Sequence, residues 1–177
     1  MCLQADPRRV AYWQDRLAVH AGKLKVGLVW AGRPTHGNDW RRSLPFAQLA
    51  ALGARPGVVF VSLQLGERAR DADAAPGGMY VMSAAAELKD FADTAALLSV
   101  LDVLISVDSA PVHVAGALGR PAWTLLPFMP DWRWRCDTDV SSWYPSVRLY
   151  RQKRAGDWDG VLRRVAGDVE RLVAAKR

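Results

Sequence analysis

Cysteine, histidine and long apolar runs are all scarce in this chain of 177 residues. Cys2, Cys136 and the three histidines are too few and too scattered for a disulfide framework or a zinc site. They fit a reduced, cytoplasmic protein. The longest apolar stretch, Leu97 to Val107, is interrupted by Ser99, Asp102 and Ser106. It falls short of the roughly 20 residues that span a bilayer. The amino terminus, MCLQADPRRV, has no apolar core of a signal peptide. Internal repeats and low-complexity tracts are absent, and so are Gly-x-Gly-x-x-Gly and Gly-x-x-x-x-Gly-Lys-Ser/Thr. Those two gaps speak against dinucleotide and P-loop binding.

What remains is ordinary globular composition, 50% apolar and 24% charged, in a length suited to one domain. The formal charge is +6, from 24 Lys and Arg against 18 Asp and Glu. Nineteen of those bases are Arg, and Ala is abundant, a pairing typical of GC-rich genomes. The charge is therefore a poor argument for nucleic acid, but it suits a basic cleft for a phosphorylated ligand.

Along the chain, Asp6-Pro7 reads as a helix start, an acidic cap followed by proline at the first helical position. The spacing of Val10, Trp13, Leu17 and His20 carries that helix to about residue 20, and Gly22 closes it. Apolar strands follow at 25–30, 58–63, 103–107 and 123–126, with shorter ones at 79–82 and 147–150. Helices are expected at 45–52, 90–101, 111–118 and 158–175, and the Pro- and Trp-rich stretch 127–146 as loop. Continuously apolar strands separated by helices predict a parallel sheet covered on both faces: an α/β, Rossmann-like domain. In such a sheet the ligand lies beyond the carboxyl ends of the strands, near the point where strand order reverses.

The residues just past each strand are therefore the candidates. After the first strand runs the long polar loop 31–43. In it Gly32 permits close backbone approach, and Arg41 and Arg42 can clamp a diphosphate. After the second stands Gln64, able to bond a base or ribose, or simply a satisfied polar residue. After the strand ending at Val107 comes Asp108-Ser-Ala-Pro-Val-His113. Small residues leading into a helix put free amides at the sheet edge, a phosphate-binding arrangement. Ser109 adds a hydroxyl donor there and His113 falls in the first turn. Asp108 serves equally well as an N-cap, and His113 as a core histidine. Ala115, Gly116 and Ala117 are expected to let this helix pack closely on the sheet. Aromatics interleaved with arginine at 131–135 suggest a wall over the cleft or packing against the last helix, with nucleic-acid stacking disfavoured.

Seven segments then occur in a familiar order. They are Val26-Gly-Leu-Val-Trp-Ala-Gly32, Asn38-Asp39 to Arg42-Ser43-Leu-Pro45, Phe60-Val-Ser-Leu-Gln64 and Asp90-Phe-Ala-Asp-Thr-Ala-Ala-Leu97. Ile105-Ser-Val-Asp-Ser-Ala110 to Gly119-Arg-Pro121, Pro130-Asp-Trp-Arg-Trp134 and Trp143-Tyr-Pro145 complete the set. Together, over roughly residues 22–175, they resemble the C-terminal domain of family 9 glycosyltransferases. The resemblance is strongest to bacterial proteins joining tetratricopeptide repeats to a heptosyltransferase-like, O-GlcNAc-transferase-like region.

The resemblance implies one half of a GT-B fold, with residues 1–21 as a linker helix and 22–177 as the nucleotide-sugar-binding domain. It implies a UDP-, ADP- or GDP-linked sugar as donor and no metal cofactor. An N-terminal domain would supply the acceptor side and the catalytic base, and without it the chain would be inactive. Asp108, Ser109, Ala110 and His113 match the family's Asp-Thr-x-x-x-His motif, with Ser109 in place of Thr. Gly32, Arg41 and Arg42 match the loop reaching the diphosphate, and Gln64 the position near the ribose. Leu65 stands where a Lys is frequent. Leu88 and Lys89 lie where the nucleobase is expected. Two other readings fit the same half-fold: a non-catalytic assembly module, or half of another sugar-nucleotide enzyme such as an epimerase.

Overall fold

A computed structural model describes residues 3–176, so Cys2 lies outside the described part. The amino-terminal helix α1 (Pro7–Arg16) starts as its sequence dictates, with the Asp6 carboxylate accepting from the Arg8 amide at 2.8 Å. It stops earlier than the apolar spacing suggests. Leu17 leaves helical geometry, and a 3-10 turn, Ala18–His20, takes over.

Six strands follow: β1 (Leu24–Val29), β2 (Val58–Ser62), β3 (Val81–Ser83), β4 (Val103–Val107), β5 (Ala122–Leu126) and β6 (Val147–Arg151). All neighbours pair in parallel, in the order β3-β2-β1-β4-β5-β6. The chain builds outward from β1 to β3, then returns to lay β4 on the other side of β1. The reversal point is thus between β1 and β4, where Val29 pairs with Ser106.

Between strands lie the single turn α2 (Asp39–Arg42), α3 (Phe91–Val100) and α4 (Ala110–Ala117), with α5 (Trp158–Lys176) closing the chain. Residues 39–42 were expected as loop. The segment expected as a helix at 45–52 is a 3-10 helix, Phe46–Leu52. The third strand forms at residues 81–83 rather than 79–82.

The central strands β2, β4 and β5 are buried throughout and β1 at all but Lys25, while the edge strands β3 and β6 are partly exposed, so the sheet separates two cores. On one face Leu24, Val26, Leu28 and Trp30 of the first strand and its extension meet Val161, Leu162, Val165 and Val169 of α5. On the other, Val29, Val61 and Leu104 meet Leu97 and Leu98 of α3 and Val112 and Ala115 of α4. Trp13 and Leu17 belong to this second core. The segment expected as a linker is thus built into the domain, and Arg9 ties it to α3 through Asp90 and Asp93, at 2.6 and 2.8 Å. No helix among the described residues is long and apolar enough to cross a membrane.

Trp13 is 1% exposed. Trp13→Ala should therefore cost about 3–5 kcal/mol of stability, as emptied aromatic core sites do. Urea unfolding measures it, and a loss below about 1 kcal/mol would mean that α1 merely rests on the surface.

Candidate functional site

At the β1–β4 reversal the two strands hand over to loops that diverge, leaving a cavity of about 540 Å³. Three segments wall it. The loop after β1 contributes His36, Asn38, Arg41 and Arg42, and the β4–α4 junction contributes Asp108, Ser109, Ala110 and His113. The loop after β5 contributes Pro127, Met129, Pro130, Asp131 and Arg133.

The first wall is held by a relay of hydrogen bonds. The Gly32 amide donates to Ser43 Oγ at 2.9 Å, and that hydroxyl donates to Asp39 Oδ1, also at 2.9 Å. Buried Asp39 accepts in turn from Arg42 Nε at 3.3 Å, and Arg42 Nη1 crosses to the carbonyl of Asp108 at 3.1 Å. A Cβ at residue 32 would run into both Asp39 Oδ1 and Arg42 Nη2, so only glycine lets this relay close. Gly32 therefore shapes the wall from behind and does not line the cavity. Arg42 has its charge partly met by Asp39. Arg41 is different: it forms no ion pair among the described residues, and its guanidinium lies over the Trp40 ring at 4.7 Å.

In the second wall, the N-cap of α4 is Ser109, not Asp108. The Ser109 hydroxyl does not cap the helix. Ser106 Oγ gives its proton to the Val107 carbonyl at 2.7 Å, so Ser109 must donate to Ser106 Oγ, 2.9 Å away. The hydroxyl expected as a ligand donor is spent internally. Pro111 has no N–H, and the Ala110 amide stands unpartnered at the positive end of the helix.

His113 sits among aromatic rings. It stacks on Trp134 at 5.4 Å between centroids, its Nδ1 lies 3.3 Å from the Tyr144 hydroxyl, and its Nε2 lies 4.0 Å from Asp108. A carboxylate on one side and a hydroxyl on the other suit the tautomer protonated at Nε2. Burial pushes the imidazole pKa below its usual value; Asp108 opposes this, Arg133 adds to it, and Asp131 opposes it. The Tyr144 ring reaches His113 because it lies against α4 at Gly116, where any Cβ would meet the ring carbons. Gly116 was expected to serve helix-to-sheet packing. It serves this loop instead, and Ala115 is the residue that packs on the sheet.

Of the residues expected at the site, Arg41, Arg42, Asp108, Ser109, Ala110 and His113 converge on the cavity. Gln64 does not line it. Its Oε1 accepts from the amides of Trp30 and Ala31, and its Nε2 donates to the carbonyls of Ala31 and Leu65. All of its bonding capacity is used on backbone. Leu88 is buried in the second core, and the exposed Lys89 gives its amide to Asp93 at the start of α3. Both lie outside the cavity. The aromatic and arginine stretch, expected as a wall over the cleft, does supply Arg133 to the cavity and Trp134 to His113. The specific pairing of Trp134 and Tyr144 with His113 was not expected, and the runs Pro130-Asp-Trp-Arg-Trp134 and Trp143-Tyr-Pro145 were its available signal. Among the described residues no cluster of His, Cys, Asp or Glu has the makings of a metal site.

Comparison with known proteins agrees with this layout. The family model for glycosyltransferase family 9 (heptosyltransferase) matches residues 23–135. Protein FlbA of Caulobacter vibrioides is 34% identical over 168 residues, covering 93% of this chain and 28% of FlbA. The ADP-heptose LPS heptosyltransferase II of E. coli superposes with a TM-score of 0.67 at 18% identity, over 99% of this chain and 54% of that one. The family 9 glycosyltransferase of Veillonella parvula gives 0.68 at 14% identity, again over 99% and 54%. The chain thus spans about half of these solved relatives and under a third of FlbA.

His113 should titrate by NMR below the ordinary histidine value of about 6.5. Asp108→Asn removes an opposing charge and should lower the midpoint further. With the folded value depressed, the unfolded chain takes up the proton first. Stability should therefore fall as pH drops through the ordinary histidine range. A midpoint raised by Asp108→Asn would contradict the geometry.

Proposed function

The chain belongs to glycosyltransferase family 9, and from there we propose that it binds the nucleotide-diphospho-sugar donor of a glycosyl transfer to an acceptor hydroxyl. One observation carries the reading. At the reversal point of the sheet, an arginine with no ion-pair partner and the open amino end of α4 meet in one cavity.

Breaking the bond between the sugar's anomeric carbon and the diphosphate oxygen leaves negative charge on the departing nucleotide. Donors already fixed in place stabilise that charge without having to reorganise. Arg41 offers a free guanidinium, Arg42 is held by Asp39 and the Asp108 carbonyl, and the Ala110 amide adds the helix end. A His113 protonated on Nε2 can donate to the same oxygens. The acceptor hydroxyl needs a base on the other side of the sugar. In the proposed arrangement a second Rossmann-like half brings it, and the present chain alone transfers no sugar.

The surroundings of the cavity support a facing half. Met129, Trp132 and Trp40 are strongly exposed, and Trp132 meets exposed Trp143 edge-on at 6.2 Å. Exposed aromatic surface of this kind marks an interaction face. The reading extends to tetratricopeptide repeats elsewhere in the protein and to a bacterial cytoplasmic setting, for which the small share of FlbA covered leaves ample length.

Calorimetric titration of the chain with UDP, ADP and GDP tests the proposal. One of them should bind saturably, and Arg41→Ala should weaken it about tenfold to a hundredfold, the worth of one charge-assisted hydrogen bond. Failure of all three to bind, or equal binding by Arg41→Ala, would overturn it.

A further inference from the structure

Two glutamines stand at strand ends in this sheet, and their oxygens do the same work. Gln64 Oε1 holds the amides of Trp30 and Ala31 after β1. Gln152, the first residue past β6, accepts at Oε1 from the amides of Phe128 at 3.2 Å and Gly156 at 3.0 Å. It thereby knots the loop after β5 to the turn before α5. Two N–H groups on one atom fix the carboxamide's orientation, because an NH₂ group in that place would face two donors.

Their nitrogens differ. Gln64 Nε2 has both hydrogens on carbonyls, each at 3.1 Å. Gln152 Nε2 donates to no protein atom among the described residues, although the residue is only 3% exposed. That nitrogen is not fully shut off from solvent, so its hydrogens are free for a partner. Gln152 lines a second pocket, about 380 Å³ in volume, beside the main cavity. Its walls are chiefly Trp40, Phe128, Met129 and Trp158, and its one charged side chain is Arg41. That guanidinium lies over the Trp40 ring at 4.7 Å.

We propose that this pocket is a ring-binding subsite for an uncharged ring bearing a hydrogen-bond acceptor, with the acceptor on Gln152 Nε2 and the ring against Trp40 and Met129. Aromatic and thioether walls favour a flat ring. The apolar walls disfavour a charged group, and the lone fixed donor selects a carbonyl oxygen or an unprotonated ring nitrogen. Arg41, Pro127 and Met129 border both spaces, so one molecule can extend from the pocket into the main cavity. Within glycosyl transfer, which rests on the proposed function, the ring is either the nucleobase of the donor or a ring of the acceptor. The subsite itself does not depend on that reading.

Benzamide is the minimal probe, a neutral ring with one carbonyl. Titrated into the chain and followed by two-dimensional NMR, it should shift the Gln152 carboxamide and the Trp40 and Trp158 indole signals together and saturably. Gln152→Glu keeps an oxygen for the Phe128 and Gly156 amides but removes the donor, and should weaken binding about tenfold. Trp40→Ala alters an exposed side chain, is expected to fold, and should weaken binding similarly. Absence of saturable shifts, or unchanged affinity in folded Trp40→Ala, overturns the subsite. A nucleoside diphosphate that displaces benzamide supports the subsite as the seat of its base. A nucleotide that binds alongside benzamide supports it as an acceptor subsite. Benzamide binding with no nucleotide binding leaves the subsite standing and defeats the donor-domain reading.

Discussion

The bridge from Arg42 to the carbonyl of Asp108 is the contact on which the cavity's shape depends. β1 and β4 part at the reversal point, and their loops have no sheet hydrogen bonds to keep them at a fixed separation. Arg42 spans that gap. Its own position is set by buried Asp39, which is held through Ser43 by the Gly32 amide. The relay therefore begins at Gly32, three residues past β1, and ends on Asp108, the first residue past β4. Arg41 and the start of α4 face one another across a distance this relay determines.

The arginines divide along the same lines. Several are paired with carboxylates: Arg9 on Asp90 and Asp93, Arg55 on Glu170, Arg135 on Asp137, and Arg148 and Arg171 on Asp168. These pairs are largely solvent-exposed on the arginine side and contribute little each. At the cavity, Arg41 forms no ion pair among the described residues and also borders the apolar ring pocket.

The fold was legible in the sequence because burial on both faces writes strands as unbroken apolar runs, as in Val58 to Val61. Helix boundaries were less so. Leu17 continues the apolar stripe of α1 and is buried, yet the helix ends at it. At the site, chain-local features were readable: a strand followed by small residues and a helix, or adjacent arginines. Features that depend on distant partners were not. Gly116 reads as helix packing until Tyr144, 28 positions later, is found lying on it. Ser109 reads as a free hydroxyl until Ser106 takes its proton. The two glutamines show the limit most directly. Each follows an apolar strand, and nothing local says which has a hydrogen left over.

The openness of the cavity also constrains what the donors that line it can achieve. Arg41 and the Ala110 amide face a cavity with solvent access, where water weakens every charge interaction they make. Their arrangement becomes effective only when something excludes that water. The exposed rings of Trp40, Trp132 and Trp143 around the mouth provide apolar contact area for such a closure. Trp40 belongs both to that rim and to the wall of the ring pocket. A ligand ring seated against it would bury part of that rim and, with it, apolar area otherwise left in water.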